Sequence, residues 1–224
     1  MGPAQGFWAV LADDERASLG DLGRITVYQP GAVMCVEGDP ATHVFVLVEG
    51  WVKILSVTRD GHELTLALRG QGDVIGEIAG ETSGYRTATV QAIGTVRALI
   101  VAYEKFSSFL DSHVGAGHAY RRMFAQRWND TDTLLRSRSV TSGAQRLARL
   151  LLDLAARHGV TAGREVHVAM PLTQVELATM AGTSRATVTR ALSNWRRRGI
   201  IRTGQRDVTI TDLAALRKIA GQQP

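Results

Sequence analysis

The chain has one cysteine, Cys35, among its 224 residues. That excludes an internal disulfide and any zinc or iron–sulfur centre built from several cysteines. No apolar run reaches eighteen residues, and the first residues lack the charged, apolar and small-residue succession of a secretory signal. The expectation is a cytoplasmic protein with no membrane partner and no metal. The six histidines (His43, His62, His113, His118, His158 and His167) form no H-E-x-x-H pair, and no G-x-S-x-G elbow occurs. His113 and His118, five apart, are poorly spaced to share a metal on one helix, and no histidine pairs with Cys35 in a way that announces a haem. An enzyme is therefore the distant alternative. Low-complexity segments and solenoid-type repeats are also missing.

What is present is a charge split. Residues 1–142 hold 13 Lys and Arg against 16 Asp and Glu, whereas residues 143–224 hold 13 against 5. A basic half carried on an acidic half points to a polyanion-binding module attached to another domain.

The basic half contains the most telling stretch, Pro171–Arg198, PLTQVELATMAGTSRATVTRALSNWRRR. Thr173 and Glu176 have the spacing of a capping box, in which hydroxyl and carboxylate satisfy each other's backbone amides at a helix start. Leu177, Ala178 and Ala181 share one face of that first helix. After the turn Ala181-Gly182-Thr183-Ser184, Ser184 caps a second helix whose Val188, Leu192 and Trp195 recur at i, i+4 and i+7. The outward face is left with Arg185, Ala186, Thr189 and Arg190. This layout is a helix-turn-helix, whose second helix enters the major groove of double-stranded DNA. Ile200–Ile210 then reads as two short strands around a glycine turn, a β-hairpin wing, and Arg196–Arg198 can meet phosphates.

The acidic half, from Val27 to Val101, is a series of short β-rich runs: Val33–Val36, His43–Val48, Trp51–Val57, Leu64–Leu68, Thr87–Ala92 and Val96–Val101. Glycine-containing turns separate them, as in an antiparallel sandwich or barrel. Between strands lies GDVIGEIAGETSGYRTATV, Gly72–Val90. Gly76-Glu77-Ile78-Ala79 has the look of one helical turn with free amides, and Arg86-Thr87 follows it. These residue types suit a ribose phosphate. A salt bridge between Glu77 and Arg86 stabilising a surface loop suits the spacing equally well.

From about Phe7 to Ile219 the chain resembles the cyclic-AMP receptor / fumarate-nitrate regulator (CRP/FNR) family of bacterial transcription factors. The resemblance rests on G-D-V-I-G-E-I-A (Gly72–Ala79), R-T-A (Arg86–Ala88), L-L-D-L-A (Leu151–Ala155) and G-T-S-R-x-T-V-x-R (Gly182–Arg190), in this order. It implies an α+β protein: a cyclic-nucleotide-binding β-roll (jelly roll) over 1–114, a dimerisation helix over 115–138, a hinge at 139–143 and a winged helix-turn-helix over 144–224. It also implies that Glu77 holds the ribose 2′-hydroxyl, and that Arg86, Thr87 and amides around Gly76, Glu77, Ile78 and Ala79 hold the cyclic phosphate. Thr131 and Asp132 fall where the family places a Thr-Ser pair against the purine. A carboxylate at 132 accepts from the amino group of adenine and from the N1–H and N2 donors of guanine. Cyclic AMP, the family's prevalent effector, and cyclic GMP both remain open, as does a roll that senses another signal or none.

The implied DNA contacts are Thr173, Ser184, Arg185, Ala186, Thr189 and Arg190. Arg185 is placed for a bidentate bond to guanine, worth about 1–3 kcal/mol of discrimination. Where the family usually has glutamate this chain has Ala186, so the operator should differ or be looser at a neighbouring base pair. Gly115–Arg138 reads as one long helix with Tyr120, Phe124, Trp128, Thr131 and Leu135 in a narrow stripe, which suggests pairing with a second copy. The alternative is that the stripe packs on its own β-domain. A homodimer suits two-fold reading of a pseudo-palindrome. An activator would in addition touch RNA polymerase.

Overall fold

In the computed structural model, residues 6–57, 61, 63–82, 84–137, 142–169, 172–204 and 207–221 are described, backbone only at 81 and 129–137. The chain divides into two units, Gln5–Asn129 and Asp130–Pro224. In the first, α1 (Phe7–Val10) and α2 (Asp13–Asp21) precede β1 (Gly23–Tyr28), β2 (Val33–Cys35), β3 (His43–Glu49), β4 (Val52–Val57), β5 (Glu63–Arg69) and β6 (Val74–Ile75). Then come α3 (Glu77–Glu81), β7 (Thr89–Ala92), β8 (Val96–Ala102), α4 (Tyr103–Ser112) and the long α5 (Val114–Ser137), whose residues from Asp130 on are counted with the second unit. Two antiparallel four-stranded sheets, ordered β1-β8-β3-β6 and β2-β7-β4-β5, form the β-roll. The first strand starts at Gly23, earlier than the run of β-formers suggests.

The β3 sequence explains the layering. Its run Val44-Phe45-Val46-Leu47 is fully buried, the signature of a strand covered on both faces. Phe45 and Leu47 join Val52, Ile75, Val90 and Ala98 in a core between the sheets. Val44 and Val46 point the other way, into a second core with Phe7, Leu19, Leu99, Phe106 and Phe109 from the helices and β8. Tyr120 of α5 belongs to that second core, and Phe124 stacks edge-on against it at 5.0 Å. The first two members of the expected pairing stripe are thus committed to their own β-domain, a correction to a seam made wholly for a second copy. Trp128, one turn on, is 78% exposed. Thr131 and Leu135 lie on the α5 backbone, with side chains outside the described residues.

In the second unit α6 (Gly143–His158) opens on a Ser142/Gln145 capping box. It is followed by β9 (Val160–Ala162), β10 (Glu165–Ala169), α7 (Gln174–Met180), α8 (Arg185–Arg197), β11 (Ile201–Thr203), β12 (Asp207–Ile210) and α9 (Leu213–Ile219). The strands form one sheet ordered β11-β12-β10-β9. The wing hairpin is there, paired Ile201 to Ile210 and Thr203 to Val208, and two further strands widen it. Leu147, Leu151, Val188, Trp195, Ile201, Ile210 and Leu216 fill the core. Most of the expected hinge and Pro171 lie outside the described residues.

Candidate effector pocket and nucleic-acid interface

Gly76 caps α3 with φ +82, a left-handed conformation that glycine adopts without strain. A side chain there would also collide with Arg86 Nη1. Arg86 itself is only 4% exposed. Its Nη1 donates to the Gly76 carbonyl at 3.4 Å, and the guanidinium lies 5.3 Å from the centre of the Phe45 ring. Its Nη2 is buried with no hydrogen-bond partner. A buried charged donor left unbonded is costly, and such orphans mark places where another group completes the bonding. An anionic oxygen beside Arg86 would do so, and a cyclic phosphate fits that requirement.

Glu77, 2% exposed, does not pair with Arg86, so the loop-stabilising salt bridge is not what the residues form. Its Oε1 accepts instead from Nη1 of Arg127 on α5. Arg127 Nη2 donates to the Val74 carbonyl at 2.8 Å and approaches Asp73 at 3.3 Å. Among the described residues no hydrogen bond takes Glu77 Oε2, which leaves an acceptor for a sugar hydroxyl. Ala79 is buried, whereas Ile78 and Thr87 are exposed. The side chains of Thr131 and Asp132 lie outside the described residues.

The surroundings are cationic. Burial, then Arg86 and Arg24, push the His43 imidazole below its ordinary pKa. Burial raises the Cys35 thiol despite Arg86 nearby, which keeps it protonated and a poor metal ligand. No cluster of three or more metal-ligating side chains occurs among the described residues.

In the second unit the capping box is formed as expected: Thr173 N donates to Glu176 Oε2 at 2.8 Å, and Glu176 N to Thr173 Oγ1 at 3.2 Å. The Ser184 hydroxyl accepts from Thr187 N at 3.2 Å. Both hydroxyls therefore serve the helix starts. Leu177, Ala178, Ala181, Val188, Leu192 and Trp195 are buried. Arg185, Ala186, Thr189 and Arg190 are exposed together on α8. Neither Arg185 nor Arg190 has a side-chain partner among the described residues.

Three residues that sequence reasoning passed over hold these sites. Arg127 positions Glu77. Arg146 of α6 donates through Nε to the Ala181 carbonyl at 2.9 Å and through Nη2 to the Gly182 carbonyl at 2.6 Å, fixing the turn between α7 and α8. Gln174 reaches Thr189. On the wing, Arg202 makes a bidentate pair with Glu165 at 2.8 and 2.6 Å, and the carboxyl is held below the usual range by those bonds. No helix among the described residues is long and apolar enough to cross a membrane.

Comparison with known proteins matches residues 25–113 to the cyclic nucleotide-binding domain and residues 145–219 to the Crp-like helix-turn-helix domain. The chain is 32% identical over 190 residues to a CRP-like cAMP-activated global transcriptional regulator of Mycobacterium tuberculosis, covering 85% of each. It is 29% identical over 197 residues to the cyclic AMP receptor protein of Thermus thermophilus, covering 87% of each. The fold is also that of FixK2 from Bradyrhizobium japonicum, at a TM-score of 0.76 and 22% identity, over 90% of this chain and 99% of that one.

Proposed function

The chain belongs to the CRP/FNR family of DNA-binding transcription regulators, and from that premise we propose a homodimer whose affinity for a pseudo-palindromic operator is set by cyclic AMP held in the β-roll. The observation that carries the effector reading is the buried, unbonded Nη2 of Arg86 beside the φ-positive Gly76. In this reading Arg86 and Thr87, with amides at Gly76–Ala79, receive the cyclic phosphate, Glu77 Oε2 accepts from the ribose 2′-hydroxyl, and Thr131 and Asp132 meet the base. Thr173 and Ser184 set the two helix starts against the DNA backbone, and Arg185, Ala186, Thr189 and Arg190 face the major groove. The protein performs no catalysis and works in the cytoplasm, with RNA polymerase as the partner of any activating surface.

Cyclic GMP is the second reading, because a carboxylate at Asp132, where the family has serine, accepts from the N1–H and N2 donors of guanine as well as from the adenine amino group. Isothermal titration with each nucleotide, alongside Arg86→Ala, tests both. Binding of one nucleotide that Arg86→Ala abolishes supports the effector reading and identifies the base. Absence of heat with either leaves a winged-helix regulator whose β-roll answers another signal.

A further inference from the structure

We infer that Gln174, at the start of α7, reads a base through its amide nitrogen, with Thr189 fixing which end of the amide faces the DNA. The inference rests on the helix-turn-helix reading above and adds a residue that motif does not announce. Gln174 is exposed, and its Oε1 lies 2.6 Å from the Thr189 hydroxyl. Thr189 sits one turn after Arg185 on the outward face of α8, and its hydroxyl is also 3.0 Å from the Arg185 carbonyl. The Gln174 amide is thus fastened to the middle of the reading face although it comes from the other helix. Among the described residues nothing accepts from its Nε2.

The chemistry follows from which end is occupied. A glutamine with both ends free forks onto adenine, donating to N7 and accepting from N6. Here the oxygen end is held on the Thr189 hydroxyl, by the shorter of that hydroxyl's two contacts, so the amide leads with its two N–H donors rather than with both ends side by side. Donors alone suit acceptor edges, guanine O6 and N7 or thymine O4. Ala186, with a methyl and no polar atom, cannot make such a bond, so a donor from Gln174 beside Thr189 adds polar readout to this face. Thr189 is a positioning residue in this scheme: its hydroxyl selects the polarity of the reader.

The test is selection of binding sites from a pool of random DNA duplexes at fixed salt, by the full-length protein and by Gln174→Ala, Gln174→Glu and Thr189→Val, with nucleotide present. The wild type is expected to enrich a half-site with guanine or thymine at one position that Gln174→Ala leaves degenerate. On the wild-type site, Gln174→Ala should bind roughly five- to a hundredfold more weakly. Gln174→Glu should turn that position towards cytosine, whose amino group donates. Thr189→Val should turn it towards adenine by releasing the amide oxygen. Gln174→Ala selecting the unchanged motif overturns the inference, as does a uniform loss of affinity with a smaller salt slope, which would mark a phosphate contact. A wild type that enriches no motif overturns the DNA-binding reading itself, a failure distinct from the other two.

Discussion

Arg86 and His43 both feel the burial and the positive charge of one corner of the roll. Arg86 is buried with Nη2 unbonded, so without an anion beside it the guanidinium carries an uncompensated cost. Replacing it by methionine, similar in length and apolar, should leave the thermal midpoint of the nucleotide-free protein unchanged or higher. The same variant should lose at least about tenfold in nucleotide affinity, because charge-assisted hydrogen bonds contribute roughly 1.5–3 kcal/mol each. Calorimetric titration and thermal melts of the two proteins check both halves. His43 makes the pH prediction. Its folded pKa lies below the ordinary value, through burial and the two arginines, so the native state holds it neutral while the unfolded chain takes up a proton. Stability contributed this way is present above about pH 6.5 and is lost as pH falls towards the folded pKa. Urea melts at pH 7.5 and 5.5 should show an acid-side loss that His43→Gln reduces. At this scale Arg86 and Glu77 were legible because they lie in one local motif. Arg127 was not, since it meets Glu77 from a helix fifty residues away and nothing in an arginine's neighbours along the chain names its distant partner.

Elements were legible in proportion to their length and burial. The stripe Val188, Leu192, Trp195 stood out because a thirteen-residue helix repeats its buried face at the helical period. Trp195 is 3% exposed, and Trp195→Ala should destabilise the C-terminal unit by about 3–5 kcal/mol, read by denaturant melts. The strands β9 and β10 escaped notice for the opposite reason. The three residues of β9 are all exposed and leave no alternating pattern, whereas β10 turns Val166 and Val168 inward and His167 and Ala169 outward over only five residues, too short a run to stand out. Periodicity also reports that a face is covered without naming the cover, which is why Tyr120 and Phe124 read as a seam and pack against Phe7, Phe106 and each other. Within the wing, Glu165 occupies Arg202 on the surface. Surface pairs of this kind contribute little to stability, so Glu165→Gln should melt like the wild type. It should bind DNA more tightly at low salt and with a steeper salt dependence, because a freed arginine adds a phosphate contact.

The whole molecule joins an acidic nucleotide-binding domain to a basic DNA-binding one, and the charge split along the sequence made that division readable before any coordinates. The proposed dimer rests on the two-fold symmetry of the operator it would read and on the stripe along α5. Trp128, exposed on α5 just beyond the residues committed to the β-roll, is the natural reporter for it. Trp128→Glu should shift sedimentation from dimer towards monomer and weaken operator binding together, whereas an unchanged sedimentation coefficient would place the contact elsewhere. The central claim is that an effector in the β-roll changes the affinity of the winged helix for DNA. It is tested most directly by fluorescence anisotropy of a selected operator duplex at constant salt, without nucleotide and with saturating cyclic AMP. The predicted result is a Kd tighter by about tenfold, within the usual range of coupling between two sites. An identical Kd in both conditions, with calorimetry showing the nucleotide bound, would contradict it.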